Sequence, residues 1–240
     1  MIRQLGRGIN FTLLHWSQTF LDLLYPPTCV GCGDSGADWC DRCNESLRIL
    51  PKPICIRCGS PLPSIQNQCV RCSDFPGILM VRSYAYYEGP LHNALLHLKY
   101  RPNERLAKIM GHWLAALSLK EGMAGSMIVT VPLGRNRLKQ RGYNQVDLVA
   151  DGMAEDLGIE NKKKVLIRIR ETKSQVGLDP VARRHNVQDA FHADRQILMD
   201  QKVFLLDDLF TTGATMLACT KALQEAGVRY VFGLTVARAR

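Results

Sequence analysis

Eight of the nine cysteines in this 240-residue chain fall in four C-x-x-C pairs: Cys29/Cys32, Cys40/Cys43, Cys55/Cys58 and Cys69/Cys72, with 7, 11 and 10 residues between successive pairs. A C-x-x-C turn lets two thiolates converge on one metal while backbone N–H groups bond the sulfurs, and two such turns complete a tetrahedral site. Four pairs therefore predict two Zn²⁺ ions, each closed by four thiolates and so structural. A disulfide framework is the competing use. Cysteines this close in sequence are awkward bridge partners, and the remainder of the chain reads as cytoplasmic, where thiols stay reduced. Two pairings are compatible with the spacing, sequential ribbons or a cross-brace of first with third and second with fourth, and the sequential one is favoured. Cys219 stands apart in an expected helix, as a small buried apolar residue or, alternatively, a reactive thiol.

A second segment carries a different chemistry. Val203-Phe-Leu-Leu-Asp207-Asp208-Leu-Phe-Thr211-Thr212-Gly213-Ala214-Thr215 reads as a buried strand, two carboxylates and a hydroxyl-rich turn that opens a helix. Backbone N–H groups and the positive end of a helix dipole at such a turn cradle a phosphate. Acids beside a phosphate would repel it, so Asp207 and Asp208 are assigned to ribose hydroxyls, directly or through Mg²⁺. An acidic helix cap would explain one aspartate, but not the pair together with the Thr-Thr-Gly-x-Thr turn. Upstream, Pro132-Leu133-Gly134-Arg135, followed by Arg137, Lys139 and Arg141, reads as a basic loop after a strand, with a merely solvated loop as the alternative. Lys162 to Lys164 read as a surface charge run.

These groups need elements to hold them. Expected are an extended pair around Met80 to Tyr87, helices from Pro90 to Tyr100 and Glu104 to Leu119, a strand at Ile128 to Leu133 and a helix at Asn144 to Leu157. Further strands are expected at Val165 to Ile169, Val203 to Leu206 and Val231 to Val236, with a helix at Ala214 to Ala226. Strands separated by helices imply an α/β fold with a parallel sheet. Composition changes near residues 29 and 78, which divides the chain into an N-terminal amphipathic helix (1–28), a double zinc-ribbon module (29–78) and an α/β domain (79–240). Packing on the protein is the preferred use of the first helix, with membrane-surface contact as the alternative. No run is long enough to span a membrane.

The charge distribution limits the partners. The formal net charge is +9. Two Zn²⁺ on eight thiolates would bring this to about +5. Residues 79–240 carry 24 basic against 16 acidic side chains, so anionic partners should meet this part.

The Val203–Thr215 segment resembles the phosphoribosyl pyrophosphate (PRPP) loop of type I phosphoribosyltransferases. The whole chain is similar to the ComF family, bacterial proteins that join a zinc ribbon to such a domain and are associated with uptake of transforming DNA. The likeness rests on Leu-Leu-Tyr-Pro-Pro-x-Cys-x-x-Cys from Leu23, Leu98-Lys99-Tyr100, Val131-Pro132 and Arg141-Gly142-Tyr143-Asn144-Gln145, and Thr172-x-x-Gln175 with Arg183, Asn186 and Phe191. It implies a type I phosphoribosyltransferase-like sheet flanked by helices. It also implies PRPP and Mg²⁺ as ligands, with Asp207 and Asp208 on the ribose hydroxyls and Thr211 to Thr215 on the 5-phosphate. Pro132 to Arg135 would then be the pyrophosphate loop, with Arg135 catalytic, and Thr172 to Asn186 a hood over substrate. Enzymes acting on 6-oxopurines place an acid directly before the Thr-Gly; here that residue is Thr211, so the acceptor is unreadable. Three functions follow: phosphoribosyl transfer to a nitrogen nucleophile, a non-catalytic PRPP-responsive regulator, or an adaptor that contacts single-stranded DNA and other proteins of the uptake machinery.

Overall fold

Val203 to Leu206 are apolar at every position, and such a run is stable only in a strand covered on both faces. In the computed structural model, which describes residues 26–64, 67–72, 75–170, 186–187 and 189–240, this segment is the centre of strand β6 (Lys202–Phe210). Phe204 and Leu206 turn to one core and Val203 and Leu205 to the other. The sheet also contains β1 (Leu79–Tyr86), β2 (Met127–Thr130), β3 (Glu160–Asn161) and β7 (Tyr230–Arg238), in the order β1-β7-β6-β2-β3. Every neighbouring pair is parallel.

Helices α2 (Gly89–Tyr100), α3 (Glu104–Lys120) and α5 (Gln145–Leu157) bury their apolar sides in the first core. The long helix α7 (Ala214–Glu225) contributes Met216, Cys219 and Leu223 to the second. Helices α3 and α5 touch backbone to backbone at Gly111, where a Cβ would lie 2.6 Å from Met153 N and 2.7 Å from Val149 O. Gly111→Val is therefore expected to force the helices apart and lower stability by about 1–3 kcal/mol, read as a lower urea midpoint.

The cysteine-rich segment, with its short helix α1 (Asp41–Glu45), lies along the free edge of β1. Val81 N–H donates to Arg57 O at 2.6 Å and Tyr86 N–H to Arg48 O at 2.8 Å, so an edge that could template aggregation is covered. Two buried arginines fasten it: Arg82 donates to Cys55 O and Ile56 O, and Arg238 to Cys58 O.

Several expected elements differ. Met80 to Tyr87 is one strand rather than an extended pair, because its partner is β7 at the far end of the chain. The basic loop after Gly134 is helix α4 (Arg135–Arg141): Gly134 is its N-cap, and Gly142, at φ 78°, closes its end by donating to Leu138 O. The strand expected at Val165 to Ile169 is β4 (Leu166–Arg168), outside the main sheet and antiparallel to β5 (Phe191–Ala193). β3, β5 and the short α6 (Arg195–Leu198) are too brief to show periodicity. The expected N-terminal helix up to Tyr25 and the Thr172 to Arg183 part of the hood lie outside the described residues. No helix among the described residues is long and apolar enough to cross a membrane.

Candidate functional site

Adjacent strands β2 and β6 send their chains in opposite directions, β2 through α4 and α5 to β3, and β6 through α7 to β7. That reversal opens a crevice at their carboxyl ends, the place where open α/β sheets bind ligands. A cavity of about 260 Å³ lies there, lined by Lys99, Val131, Pro132, Leu133, Arg137, Arg141, Gln145, Arg168, Asp207, Asp208, Thr211 and Thr215, among others. A larger hollow of about 500 Å³ between α2 and the first cysteine cluster is lined by Val30, Leu96, His97 and Tyr100 and has no carboxylate in its wall among the described residues.

Carboxylates and cations face each other across the smaller cavity. Burial pushes the Asp207 carboxyl well above its ordinary range, and the neighbouring Asp208 charge adds to this; Lys99 and the Asp208 N–H, which donates to Asp207 Oδ1 at 2.9 Å, oppose it. Asp208 Oδ2 is engaged twice, by Lys99 Nζ at 3.3 Å and Gln145 Nε2 at 2.8 Å. Gln145 Oε1 in turn accepts from Arg141 Nη1 at 2.9 Å, and the Arg141 guanidinium lies 5.9 Å over the Tyr100 ring. Tyr143 Oη donates to Leu98 O, and Asn144 Nδ2 to Val131 O at 3.1 Å while its Oδ1 caps α5. The Leu98-Lys99-Tyr100 and Arg141-to-Gln145 segments are thus the two halves of one frame that holds Asp208.

The sequence-assigned residues divide. Asp207, Asp208, Thr211, Thr215, Pro132 and Leu133 meet in the cavity. Gly134 and the exposed Arg135 begin α4, outside the lining, while Arg137 and Arg141 reach it from the same helix. Thr212 and Ala214 form the turn itself, with Ala214 N–H donating to Thr212 Oγ1 at 3.4 Å, and Gly213 at φ 82° is the N-cap of α7. Sequence reasoning assigned no role to Lys99, Gln145 or Arg168. The first two carried a signal in the Leu98-to-Tyr100 and Arg141-to-Gln145 motifs; Arg168, which arrives on the small sheet, carried none. No histidine lines this cavity among the described residues: His92 packs at a tilt against Tyr87, and His97, its pKa lowered by burial and by Arg101, faces the larger hollow. Burial also pushes the Cys219 thiol well up, as expected of an inert core cysteine.

The other eight cysteines form two clusters, Cys29/Cys32/Cys40/Cys43 and Cys55/Cys58/Cys69/Cys72, the sequential pairing. Sulfur–sulfur separations are 3.6 Å for Cys29–Cys43 and for Cys32–Cys40, and 3.7 Å for Cys55–Cys72. Zn–S bonds of about 2.3 Å give a tetrahedron edge of about 3.8 Å, so the donor sets fit Zn²⁺. Cys40 N–H points at Cys29 Sγ and Cys69 N–H at Cys55 Sγ, each at 3.4 Å, which supports thiolate charge. Burial raises the Cys29 thiol pKa, but the N–H groups of Cys40, Cys32 and Gly31 outweigh it and bring the value to about 6.

Residues 20–73 match the double zinc ribbon domain family. The chain is 29% identical over 210 residues to Competence protein F of Haemophilus influenzae, covering 83% of this chain and 90% of that protein. Competence protein ComFC of Streptococcus pneumoniae is 25% identical over 201 residues, covering 83% and 87%. DNA utilization protein YhgH of Escherichia coli K12 is 26% identical over 198, covering 80% and 86%. Among solved structures, glutamine PRPP amidotransferase from B. subtilis aligns over 59% of this chain and 30% of its own, at 18% identity and a TM-score of 0.41. With two four-cysteine clusters fixed to the edge of a parallel sheet, a double zinc ribbon match over residues 20–73 and relatives aligned over 80% or more of its length, the chain is similar to Competence protein F and ComFC across both its parts.

Proposed function

We propose that this protein binds PRPP with Mg²⁺ in the β2/β6 crevice, transfers the phosphoribosyl group to a nucleophile, and serves the competence and DNA-utilization processes for which its relatives are named. The observation that carries this reading is the opposition, in one cavity, of the Asp207–Asp208 pair with its threonine turn to Arg137 and Arg141. The turn and the N-terminal end of α7 suit the 5-phosphate, and the carboxylates suit the ribose hydroxyls. Pro132, Leu133 and the two arginines suit the pyrophosphate, so Arg137 and Arg141 take the part that sequence position gave to Arg135. In the reaction, the bond from the sugar's C1 to the pyrophosphate oxygen breaks and its electron pair leaves with pyrophosphate. The nucleophile's lone pair forms the new bond at C1 and its proton goes to solvent. Mg²⁺, when bound, neutralises charge growing on the leaving group, and the arginines add to this from fixed positions.

A second reading, a PRPP-responsive regulator without turnover, is favoured by Thr211 standing where related enzymes keep an acid and by a cavity wall without histidine among the described residues. Calorimetry with PRPP and Mg²⁺, followed by a screen of nitrogen nucleophiles for pyrophosphate release, separates the two. Saturable binding with release dependent on one acceptor is the expected result. Binding without release assigns the regulator, and no binding discards both.

A further inference from the structure

The threonine turn is walled on its outer side by two aromatic rings. A Cβ on Gly213 would lie 2.8 Å from Phe210 Cζ and 3.2 Å from Phe75 Cζ, so the left-handed turn residue has rings pressed against it. Both rings lead to the second ribbon. Phe75 N–H donates to Cys72 O at 3.2 Å. Phe210 carries the Arg238 guanidinium 4.5 Å above its face, and Arg238 donates to Cys58 O at 2.6 Å and to Ser60 Oγ. Cys58 and Cys72 belong to the same four-cysteine cluster, so the contacts close a ring from the ribbon through the turn and back.

We propose that Phe75 and Arg238 are positioning residues through which the Cys55–Cys72 ribbon fixes the shape of the threonine turn. The inference rests on the reading of that turn as the phosphate-binding element. Close-packed rings transmit displacement because protein interiors do not deform continuously. A ribbon that loses its metal releases Cys58 O and Cys72 O, and the turn loses its wall. Coupling of this kind is reciprocal: a ligand that holds the turn also holds the ribbon.

The test is amide hydrogen exchange at residues 211–215 in the full-length, zinc-loaded protein, read beside PRPP–Mg²⁺ affinity. Phe75→Ala, Arg238→Met and Cys69→Ser are expected to speed exchange at the turn by about tenfold and to weaken PRPP by a similar factor. Phe75→Leu should restore most of the protection. Asn93→Ala, which removes a hydrogen bond to Gly31 O of the first ribbon and touches nothing in the second, should leave the turn at its wild-type rate. Wild-type exchange at the turn in a folded Phe75→Ala protein would overturn the inference, as would faster exchange spread evenly over β6 and β7. Faster exchange confined to the turn, in a protein whose wild type ignores PRPP, would keep the coupling and remove the ligand assignment alone.

Discussion

Removing both carboxylates, Asp207→Ala with Asp208→Ala, weakens PRPP–Mg²⁺ binding by about 10²- to 10⁴-fold. Each charge-assisted contact contributes about 1.5–3 kcal/mol, which makes about 3–6 kcal/mol for the pair. Calorimetry reads the change directly, and an unaltered dissociation constant would end the assignment of the pair to the ribose. The same acids burden the fold. Asp207 titrates above its unfolded value because burial and Asp208 disfavour its charge. The native state therefore holds that proton more tightly, and the penalty grows as pH rises past the unfolded value of about 3.9. Asp207→Asn keeps an oxygen for the Asp208 N–H while removing the charge. It should melt at a higher temperature than wild type at pH 7, with the gain shrinking towards pH 4, and should bind PRPP poorly. A lower melting point at pH 7 would show that the buried charge is better compensated than its surroundings indicate.

The parts of this site that sequence revealed are those whose chemistry is contiguous in the chain. Asp207 to Thr215 sits on one strand–turn–helix unit, so strand burial, helix opening and hydroxyl pattern reinforce each other within a single short segment. The C-x-x-C pairs are equally local, and their sequential pairing follows from short intervals that leave each ribbon to close on itself. The roles that sequence left unassigned belong to residues assembled from a distance. Lys99 comes from the end of α2, Gln145 from the start of α5 and Arg168 from a two-stranded sheet too short to show alternation. The basic segment shows the limit well. Its composition signalled cations near the β2 end, but the helical winding from Gly134 to Gly142 decides which of them reach the cavity: Arg137 and Arg141 line its mouth, and Arg135 does not. The ribbon's hold on β1 was also illegible, since Arg82 and Arg238 look in sequence like ordinary surface cations and are in fact buried.

Stripping the metal should have the largest effect on the fold. Structural zinc contributes about 10–16 kcal/mol in isolated fingers, as much as or more than the about 5–15 kcal/mol that stabilises a typical domain. Here the loss would propagate. Cys29 and Cys43 are part of the core under α2 and α3, and Cys55, Cys58 and Cys72 are part of the core on the opposite face, so each ribbon supports one side of the sheet. Without them the edge of β1 loses the carbonyls of Arg57 and Arg48, and Arg238 loses Cys58 O. Arg82 keeps its ion pair to Glu121 at 2.7 Å, so β1 remains attached to the helix layer at one point while its edge opens to other chains. A chelator with a mercurial thiol reagent is therefore expected to release two zinc ions per chain, abolish the original cooperative melt and leave a species that aggregates. Cys43→Ser, at a buried ligand, should come closer to that state than Cys32→Ser, at an exposed one. A zinc-free protein that melts cooperatively at the wild-type midpoint would mean that the ribbons decorate the sheet without supporting it.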